Sequence, residues 1–230
     1  IDSTKEDLGS WGFASQHQQR PTPREGGFFS RAWFDVVPSI PDHTSIRIVR
    51  YWDKAGTEGG GNYSSGVKMA RIETYQNEVQ YIVLHVIRGQ WSPGKRNKIM
   101  KTTAQMDGTE VVVWVEQEPG SAGKESAQNT VDLLDGYTVR AEKVTGSKEL
   151  RADSYAAKAE AGRVSLVRGP WNDVYLDELE QFPNSEYDDQ VDASSGAFNA
   201  LYRSSGQGMK DEHTASATTT PSSHDVTDYF

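Results

Sequence analysis

The sequence predicts a mixed α/β sheet. Three strand-like segments follow one another with only turns between them, and strand-like and helix-like segments then alternate along the chain. A third observation is the run Glu110 to Glu118, EVVVWVEQE, whose continuous apolar centre is typical of a strand buried on both faces of a sheet. Together these patterns indicate one sheet with antiparallel and parallel strands, flanked by helices.

The first half of the chain supplies the predicted hairpins. Ile46 to Asp53 alternates apolar and polar residues well enough for a strand, and a glycine-rich turn follows it. Val67 to Glu73 and Val79 to Trp91 are predicted as two further strands, with Thr74 to Glu78 as the turn between them.

Helices and strands alternate in the second half. The segment SPGKRNKIMKTTAQM opens with Ser and Pro, which favour the cap and the first position of a helix. After the apolar run, the patterns predict a helix at Glu125 to Leu134, a strand at Thr138 to Glu142, a helix at Leu150 to Ala161, a strand at Val164 to Val167, a helix at Trp171 to Gln181 and a last helix from about Asp188.

Composition divides the chain into three parts. Residues 1–30 are polar with weak periodicity and predict a linker or arm, and residues 31–203 carry the folded domain. Residues 204–230 are rich in Ser, Thr, His and Asp, and they predict a disordered tail because few apolar residues offset the cost of ordering. The first residue is not Met, which suggests a fragment of a longer chain.

Composition also excludes several kinds of site. The chain has no Cys, which excludes disulfides, thiolate nucleophiles and Cys-ligated zinc. No apolar run of membrane-spanning length and no signal peptide occurs, so no membrane association is predicted. The net charge of −9 argues against a broadly basic surface, so nucleic acid would need local basic patches or metal ions between carboxylates and phosphate.

Acidic residues occupy the ends of the predicted elements. Asp53 ends the first strand, Glu116 ends the buried apolar run, and Asp188 and Asp189 begin the last helix. If the two strands are adjacent, these carboxylates converge, and they need a counter-charge to stay ionised together. Mg²⁺ or Mn²⁺ supplies it, and two such ions about 4 Å apart activate water in phosphodiester cleavage.

A simpler interpretation exists for the acids of the last helix. Asp188 and Asp189 are also suited to be plain caps that the helix dipole favours, and Asp192 to be a surface acid of the first turn. The glycine-rich GGGN at Gly59 to Asn62 fits neither a dinucleotide nor a phosphate loop, so it is interpreted as a turn beside the site.

Several blocks resemble, in order, the nuclease domain of large terminase subunits of tailed bacteriophages. They are RYWDKAG, VVWVEQEPGSAGK, KVTGSKELRADSYAAKAEAGRVSLV and LDELEQFPNSEYDDQVDA, and FASQHQQRPTPREGGFFSRAWF resembles the junction that follows the ATPase motor. The resemblance runs from about Phe13 to about Tyr202. It implies a ribonuclease H-like fold and metal-dependent cleavage of concatemeric viral double-stranded DNA during packaging, in the host cell cytoplasm.

The resemblance also implies roles for the acids. Asp53, Glu116 and Asp189 match the metal-binding catalytic triad, with Asp188 and Asp192 as supporting ligands. Two departures stand out. No Walker-type loop precedes the region, so no translocation activity is expected, and Asn62 stands where many relatives place another Asp, which would weaken the outer metal position.

Basic residues near the predicted site are candidates for DNA contact. Lys124 comes directly before a predicted helix start that suits a phosphate, and the block KVTGSKELR offers Lys143, Lys148 and Arg151. Arg20 and Arg24 of the arm are further candidates. A solvated surface charge is the alternative interpretation for each.

The leading hypothesis is an endonuclease with little sequence preference that uses two Mg²⁺ or Mn²⁺ ions, so that water attacks phosphorus and the 3′ oxygen leaves. The expected partners are double-stranded DNA and, in the full machine, the terminase ATPase domain, the small terminase subunit and the portal protein. The alternatives are another ribonuclease H-like nuclease, such as a junction resolvase or recombinase, and a non-catalytic module that docks on DNA or the portal.

Overall fold

A seven-stranded mixed sheet forms the centre of the computed structural model, which describes residues 27–54 and 63–203. The strands in these ranges are β1 Asp35–Val37, β2 Ser45–Asp53, β3 Ser64–Glu73, β4 Val79–Gly89, β5 Val112–Gln117, β6 Val139–Lys143 and β7 Val164–Val167. Five α-helices accompany them in the same ranges: α1 Pro93–Asp107, α2 Ser121–Leu133, α3 Lys148–Glu160, α4 Asn172–Gln181 and α5 Asp189–Arg203. A 3-10 helix at Arg31–Trp33 precedes β1.

The strand order β1-β7-β4-β3-β2-β5-β6 confirms the mixed sheet. β2, β3 and β4 pair antiparallel, whereas β2 with β5, β5 with β6, β4 with β7 and β1 with β7 pair parallel. The sequence patterns locate every strand except β1, whose three residues are too few to show a period. The 3-10 helix before it also escaped prediction.

The pairing of β2 with β5 decides where the acids lie. Trp52 pairs with Val115 in this parallel ladder, so Asp53 and Glu116 each come one residue later on adjacent strands. Because parallel strands end at the same edge of a sheet, the two carboxylates project from one edge.

Helices cover both faces of the sheet. On one face, Tyr155 of α3, Tyr175 of α4 and Phe198 of α5 share a buried cluster with Tyr51 of β2. On the other face, Trp52 packs in a second cluster with residues of α1, α2 and β5. Neighbouring residues of β2 thus anchor opposite layers, which leaves little freedom to the strand end that carries Asp53.

The packed core begins before the predicted domain start at residue 31. Phe28 and Phe29, assigned to the arm by the sequence analysis, are buried, and Phe29 lies against Phe34 and Tyr155. Residues outside the described ranges include residues 1–26 of the predicted arm with Arg20 and Arg24, Asn62 with the preceding glycines of the turn, and the predicted tail. Among the described helices, none is both long and apolar enough to cross a membrane.

A glycine lets α5 lie directly on β2. A Cβ atom at Gly196 would stand 2.3 Å from Cζ of Tyr51, far inside van der Waals contact. Any larger residue at this position would push α5 away from the sheet, and the acids of its first turn would move with it.

Candidate active site

Four carboxylates converge at the edge where β2 and β5 end. Asp53 is the last residue of β2, Glu116 lies near the end of β5, and Asp189 opens α5. Asp192 follows one turn later, where its backbone N–H donates to the carbonyl oxygen of Asp188 at 2.9 Å. The structure therefore brings together residues from three separate elements, as the sequence analysis expected for Asp53, Glu116 and the acids of the last helix.

Asp53 lies at the electrostatic centre of the group. Burial raises the pKa of Asp53 well above its ordinary value, and the nearby charges of Asp192, Glu116 and Asp189 act in the same direction. Lys148 opposes them only in part. A carboxylate in these surroundings calls for an additional positive charge.

The neighbouring acids are perturbed in the same direction. Burial raises the pKa of Glu116, with Arg151 acting against the rise and Asp192 adding to it. Burial also raises the pKa of Asp189, against the charge of Arg88 and a hydrogen bond from the backbone of Tyr63.

Two cationic side chains of α3 form ion pairs with the acids. Lys148 Nζ lies 2.5 Å from Asp188 Oδ1 and 2.9 Å from Asp192 Oδ2. Arg151 Nη2 donates to Asp192 Oδ1 at 2.5 Å, and its Nη1 lies 3.7 Å from Glu116 Oε1. Burial alone would lower the pKa of Lys148, but its hydrogen bonds to the two aspartates outweigh burial and raise it.

The acids fit oxygen-ligated divalent ions by their chemistry, although they are not gathered into a finished site. Within residues 27–54 and 63–203, no three His, Cys, Asp or Glu side chains lie close enough to form a metal-binding group. The charges of Asp192, Glu116 and Asp189 nonetheless act together on Asp53. Carboxylate oxygens suit Mg²⁺ or Mn²⁺ better than ions that prefer nitrogen or sulfur.

Glu116 stands between two cavities at this edge. One has a volume of about 350 Å³ and is lined by Glu116, Asp192, Lys143 and Arg151 among others. The other, of about 220 Å³, is lined by Asp53, Glu116 and residues of α1 and α2. Glu116 thus borders both cavities, whereas Asp192 lines only the first and Asp53 only the second.

The predicted DNA contacts divide into two pairs. Lys124 on α2 and Lys143 at the end of β6 are exposed. Lys148 and Arg151 instead contact the acids, so in this structure they neutralise the site rather than face open groove. DNA contact by all four remains a prediction.

Sequence reasoning missed Lys54. Its Nζ donates to the carbonyl oxygen and the Oγ of Ser126, at 3.0 and 2.9 Å, and to Thr130 Oγ1 at 2.9 Å. Burial, with the charge of Arg96, lowers the pKa of Lys54 to about 8. The residue ties the end of β2 to α2 directly after Asp53, and its position beside a candidate ligand was the only signal.

Sequence reasoning also missed the residues behind Asp189. Arg88 of β4 lies 3.9 Å from Asp189 and 3.2 Å from Glu178 of α4, and its guanidinium carbon is 3.7 Å from the ring centroid of Tyr63. An arginine near the end of the largely apolar strand β4 was a visible signal. So was Glu178, three residues after the buried Tyr175 on the apolar face of its helix.

Comparison with known protein families assigns the chain to one of them. A sequence model described as the terminase RNase H-like domain matches residues 50–201, a range that includes all five acids and both flanking cations. The match spans more than half of the 230-residue chain. The chain belongs to the terminase RNase H-like domain family, which confirms the family resemblance and the ribonuclease H-like fold.

Solved structures show the same fold at low identity. The large terminase nuclease of thermophilic phage G20c with bound magnesium has a TM-score of 0.52 and 14% identity, covering 77% of this chain and 98% of that one. A K428A mutant of the large terminase subunit of bacteriophage Sf6 with calcium has a TM-score of 0.50 and 10% identity, covering 74% and 98%. A fowlpox virus resolvase bound to Holliday junction DNA has a TM-score of only 0.43 and 11% identity, covering 68% of this chain and 97% of that one. No curated protein matches the chain in sequence.

Proposed function

We propose that this chain is a metal-dependent endonuclease that cuts concatemeric viral double-stranded DNA during genome packaging. The observation that carries the proposal is the convergence of Asp53, Glu116, Asp189 and Asp192 from three elements at one sheet edge, in a member of a terminase family. Their burial and mutual repulsion suit a site that receives positive charge together with its substrate.

The acids take distinct parts in the proposal. Asp53, Glu116 and Asp189 are the catalytic residues, and Asp188 and Asp192 complete the ligand set. Two bound Mg²⁺ or Mn²⁺ ions would activate water and stabilise the leaving oxygen in such a site. Related folds support divalent ions, since the G20c nuclease holds magnesium and the Sf6 nuclease calcium.

The basic residues of the chain bind and orient the DNA backbone. Lys124 and Lys143 are exposed on either side of the acids and suit phosphate contact. Lys148 and Arg151 already neutralise Asp188, Asp192 and Glu116, and they turn to phosphate when other cations satisfy these acids. A net charge of −9 is compatible with this role because only the groove needs to be basic.

Membership of the terminase family supports a wider setting for the proposed nuclease. The chain works beside an ATPase domain, a small terminase subunit and a portal protein, in the host cell cytoplasm. Residues 1–30 connect the nuclease to the motor, and the polar residues 204–230 form a tail that is not needed for cutting.

A plasmid assay tests the proposal. Supercoiled DNA is incubated with the protein in Mg²⁺, Mn²⁺, Ca²⁺ or EDTA, alongside Asp53→Asn, Glu116→Gln and Asp189→Asn variants and a surface control, Asp135→Asn. We expect nicking in Mg²⁺ and Mn²⁺ by the wild type and the control, and none in EDTA or by the three site variants.

Other outcomes identify the alternatives. Cutting confined to four-way junctions, with linear and supercoiled duplexes intact, would favour a resolvase. DNA binding that is equal with and without Mg²⁺ and never leads to nicking would favour a docking module.

A further inference from the structure

The first turn of α5 carries the acids, and its backbone donors are satisfied from another helix. The backbone N–H of Gln190 donates to Glu178 Oε1 at 2.6 Å, and that of Val191 donates to the same oxygen at 3.3 Å. The side-chain amide of Gln190 donates to Glu178 Oε2 at 2.7 Å. These N–H groups are among those that an α-helix leaves without an internal partner, and a residue directly before the helix normally takes them.

The usual capping residue is engaged elsewhere. The Asp188 carboxylate, placed where a cap would stand, instead pairs with Lys148 at 2.5 Å. Asp189 Oδ2 lies 3.9 Å from Arg88 Nη2, and the charge of Asp189 contributes to the raised pKa of Asp53. In this structure Glu178, rather than either aspartate, accepts the hydrogen bonds of the Gln190 and Val191 backbone N–H groups.

Three hydrogen bonds from α5 and an ion pair with Arg88 fix the carboxylate of Glu178. Its side chain is only 5% exposed, and Arg88 Nη2 lies 3.2 Å from Oε2 while also reaching Asp189 at 3.9 Å. Burial raises the pKa of Glu178, whereas Gln190 and Arg88 act in the opposite direction. A buried carboxylate that accepts several hydrogen bonds from fixed donors is restricted to one conformation, and the first turn of α5 is restricted with it.

We propose that Glu178 is a positioning residue for the active site: from α4 its buried carboxylate caps the first turn of α5 and, with Arg88, fixes the position of Asp189 at the sheet edge that carries Asp53. The inference rests on the proposed nuclease function. Glu178 touches neither Asp53 nor Glu116 in any hydrogen bond or ion pair within the described ranges, so it acts only through α5 and Arg88.

The substitution Glu178→Gln tests this with little change of volume. The new side-chain oxygen can still accept from the Gln190 backbone, but the new amide nitrogen faces two donors, Gln190 Nε2 and Arg88. The first turn of α5 is then no longer held in one conformation, because the hydrogen bonds that fix it cannot all form. Disturbing groups that orient metal ligands lowers metal affinity or activity about ten- to a hundredfold.

A reciprocal exchange supplies the rescue. The double variant Glu178→Gln with Gln190→Glu places the amide on α4 and the carboxylate on α5, so that donor and acceptor change sides and the bond can re-form. Glu180→Gln is the matched control, because it removes the same charge from the same helix at a residue whose side chain is 50% exposed.

Three measurements are made on each protein: Mn²⁺ binding by calorimetry without DNA, nicking rate against Mn²⁺ concentration, and the thermal midpoint. We expect Glu178→Gln to need at least tenfold more Mn²⁺ for half-saturation in binding and in nicking. The double variant should recover most of that loss, and Glu180→Gln should match the wild type.

Several results would overturn the inference. Unchanged Mn²⁺ dependence in Glu178→Gln, whatever its thermal midpoint, would make the residue merely structural. A double variant no better than the single one would reject the capping geometry. If Glu178→Gln does not fold, Gln190→Met replaces it, since it removes the side-chain bonds of Gln190 to Glu178 at 2.7 Å and to the Val174 carbonyl oxygen at 3.4 Å but keeps both backbone donors; unchanged Mn²⁺ affinity there would count equally against the idea. A wild type that neither binds Mn²⁺ nor nicks DNA would instead refute the proposed function.

Discussion

Replacing Asp53 by Asn should abolish cleavage and yet stabilise the metal-free protein. Burial and the charges of Asp192, Glu116 and Asp189 raise the pKa of Asp53 well above its ordinary value. When an acid has a higher pKa in the folded than in the unfolded protein, it lowers the free energy of unfolding once the pH rises above the unfolded-state pKa. Asparagine carries no such charge, so the substitution removes this loss of stability. A tenfold change in proton affinity corresponds to about 1.4 kcal/mol, of which water screens a part at this half-buried carboxylate, so we expect the asparagine to raise the free energy of unfolding measurably.

The assay is thermal unfolding with and without metal. A gain of about 1 kcal/mol corresponds to a midpoint about 2–4 °C higher for a domain of this size. At a Mn²⁺ concentration a hundred times the dissociation constant, the wild type should gain about 2.7 kcal/mol, so the order of the two proteins reverses. The advantage of the variant should also shrink as the pH falls from 7 toward 4, because Asp53 then takes up a proton in the folded wild type.

Two outcomes would refute the reasoning. If Asp53→Asn unfolds at the wild-type temperature in EDTA, the acids do not repel one another as the structure indicates. If it nicks plasmid at the wild-type rate, Asp53 is not a catalytic residue. Asp135→Asn, an equivalent change on an exposed site, should alter neither quantity.

The remaining predictions concern charge, metal and the chain terminus. Asp107→Ala should cost about 3–5 kcal/mol in chemical denaturation, because it leaves the buried Arg50, 2.7 Å away, without its partner. Burial alone would raise the pKa of Asp107, but bonds from Arg50 and Lys68 outweigh it and lower the pKa, so this contribution should be present above about pH 4 and lost on further acidification. Lys148→Met should lower the metal-free melting temperature and tighten Mn²⁺ binding in calorimetry, since Asp188 and Asp192 lose a competing cation, whereas Lys124→Met should do neither. Ca²⁺ should displace Mn²⁺ in competition titrations but support little nicking, because its looser coordination misplaces the attacking water; equal rates in both ions would contradict this. Deletion of residues 204–230 should leave nicking and the melting temperature near wild type, and a large drop in either would show that the tail contributes to the domain.

The sequence alone determined the class of fold and the acidic character of the site. The continuous apolar run ending at Glu116 marks a buried strand wherever it lies, because a central strand needs apolar residues on both faces. The position of Asp53 at the end of an alternating segment follows equally from local periodicity. Such patterns are properties of a few consecutive residues, so they can be read without knowing what packs against them.

Tertiary structure decided which charges meet. β2 and β5 are separated in sequence by two strands and a helix, and no local pattern states that Trp52 will pair with Val115. The helical spacing places Glu178 on the same face as Tyr175, but only the packing of α4 against α5 shows that its carboxylate accepts hydrogen bonds from the start of α5. Lys148 is a predicted DNA contact, and in the structure it rests on Asp188 and Asp192. Each of these contacts joins segments that are distant in sequence. Burial and charge pairing can bring such segments together only in the folded sheet, so no local pattern shows them.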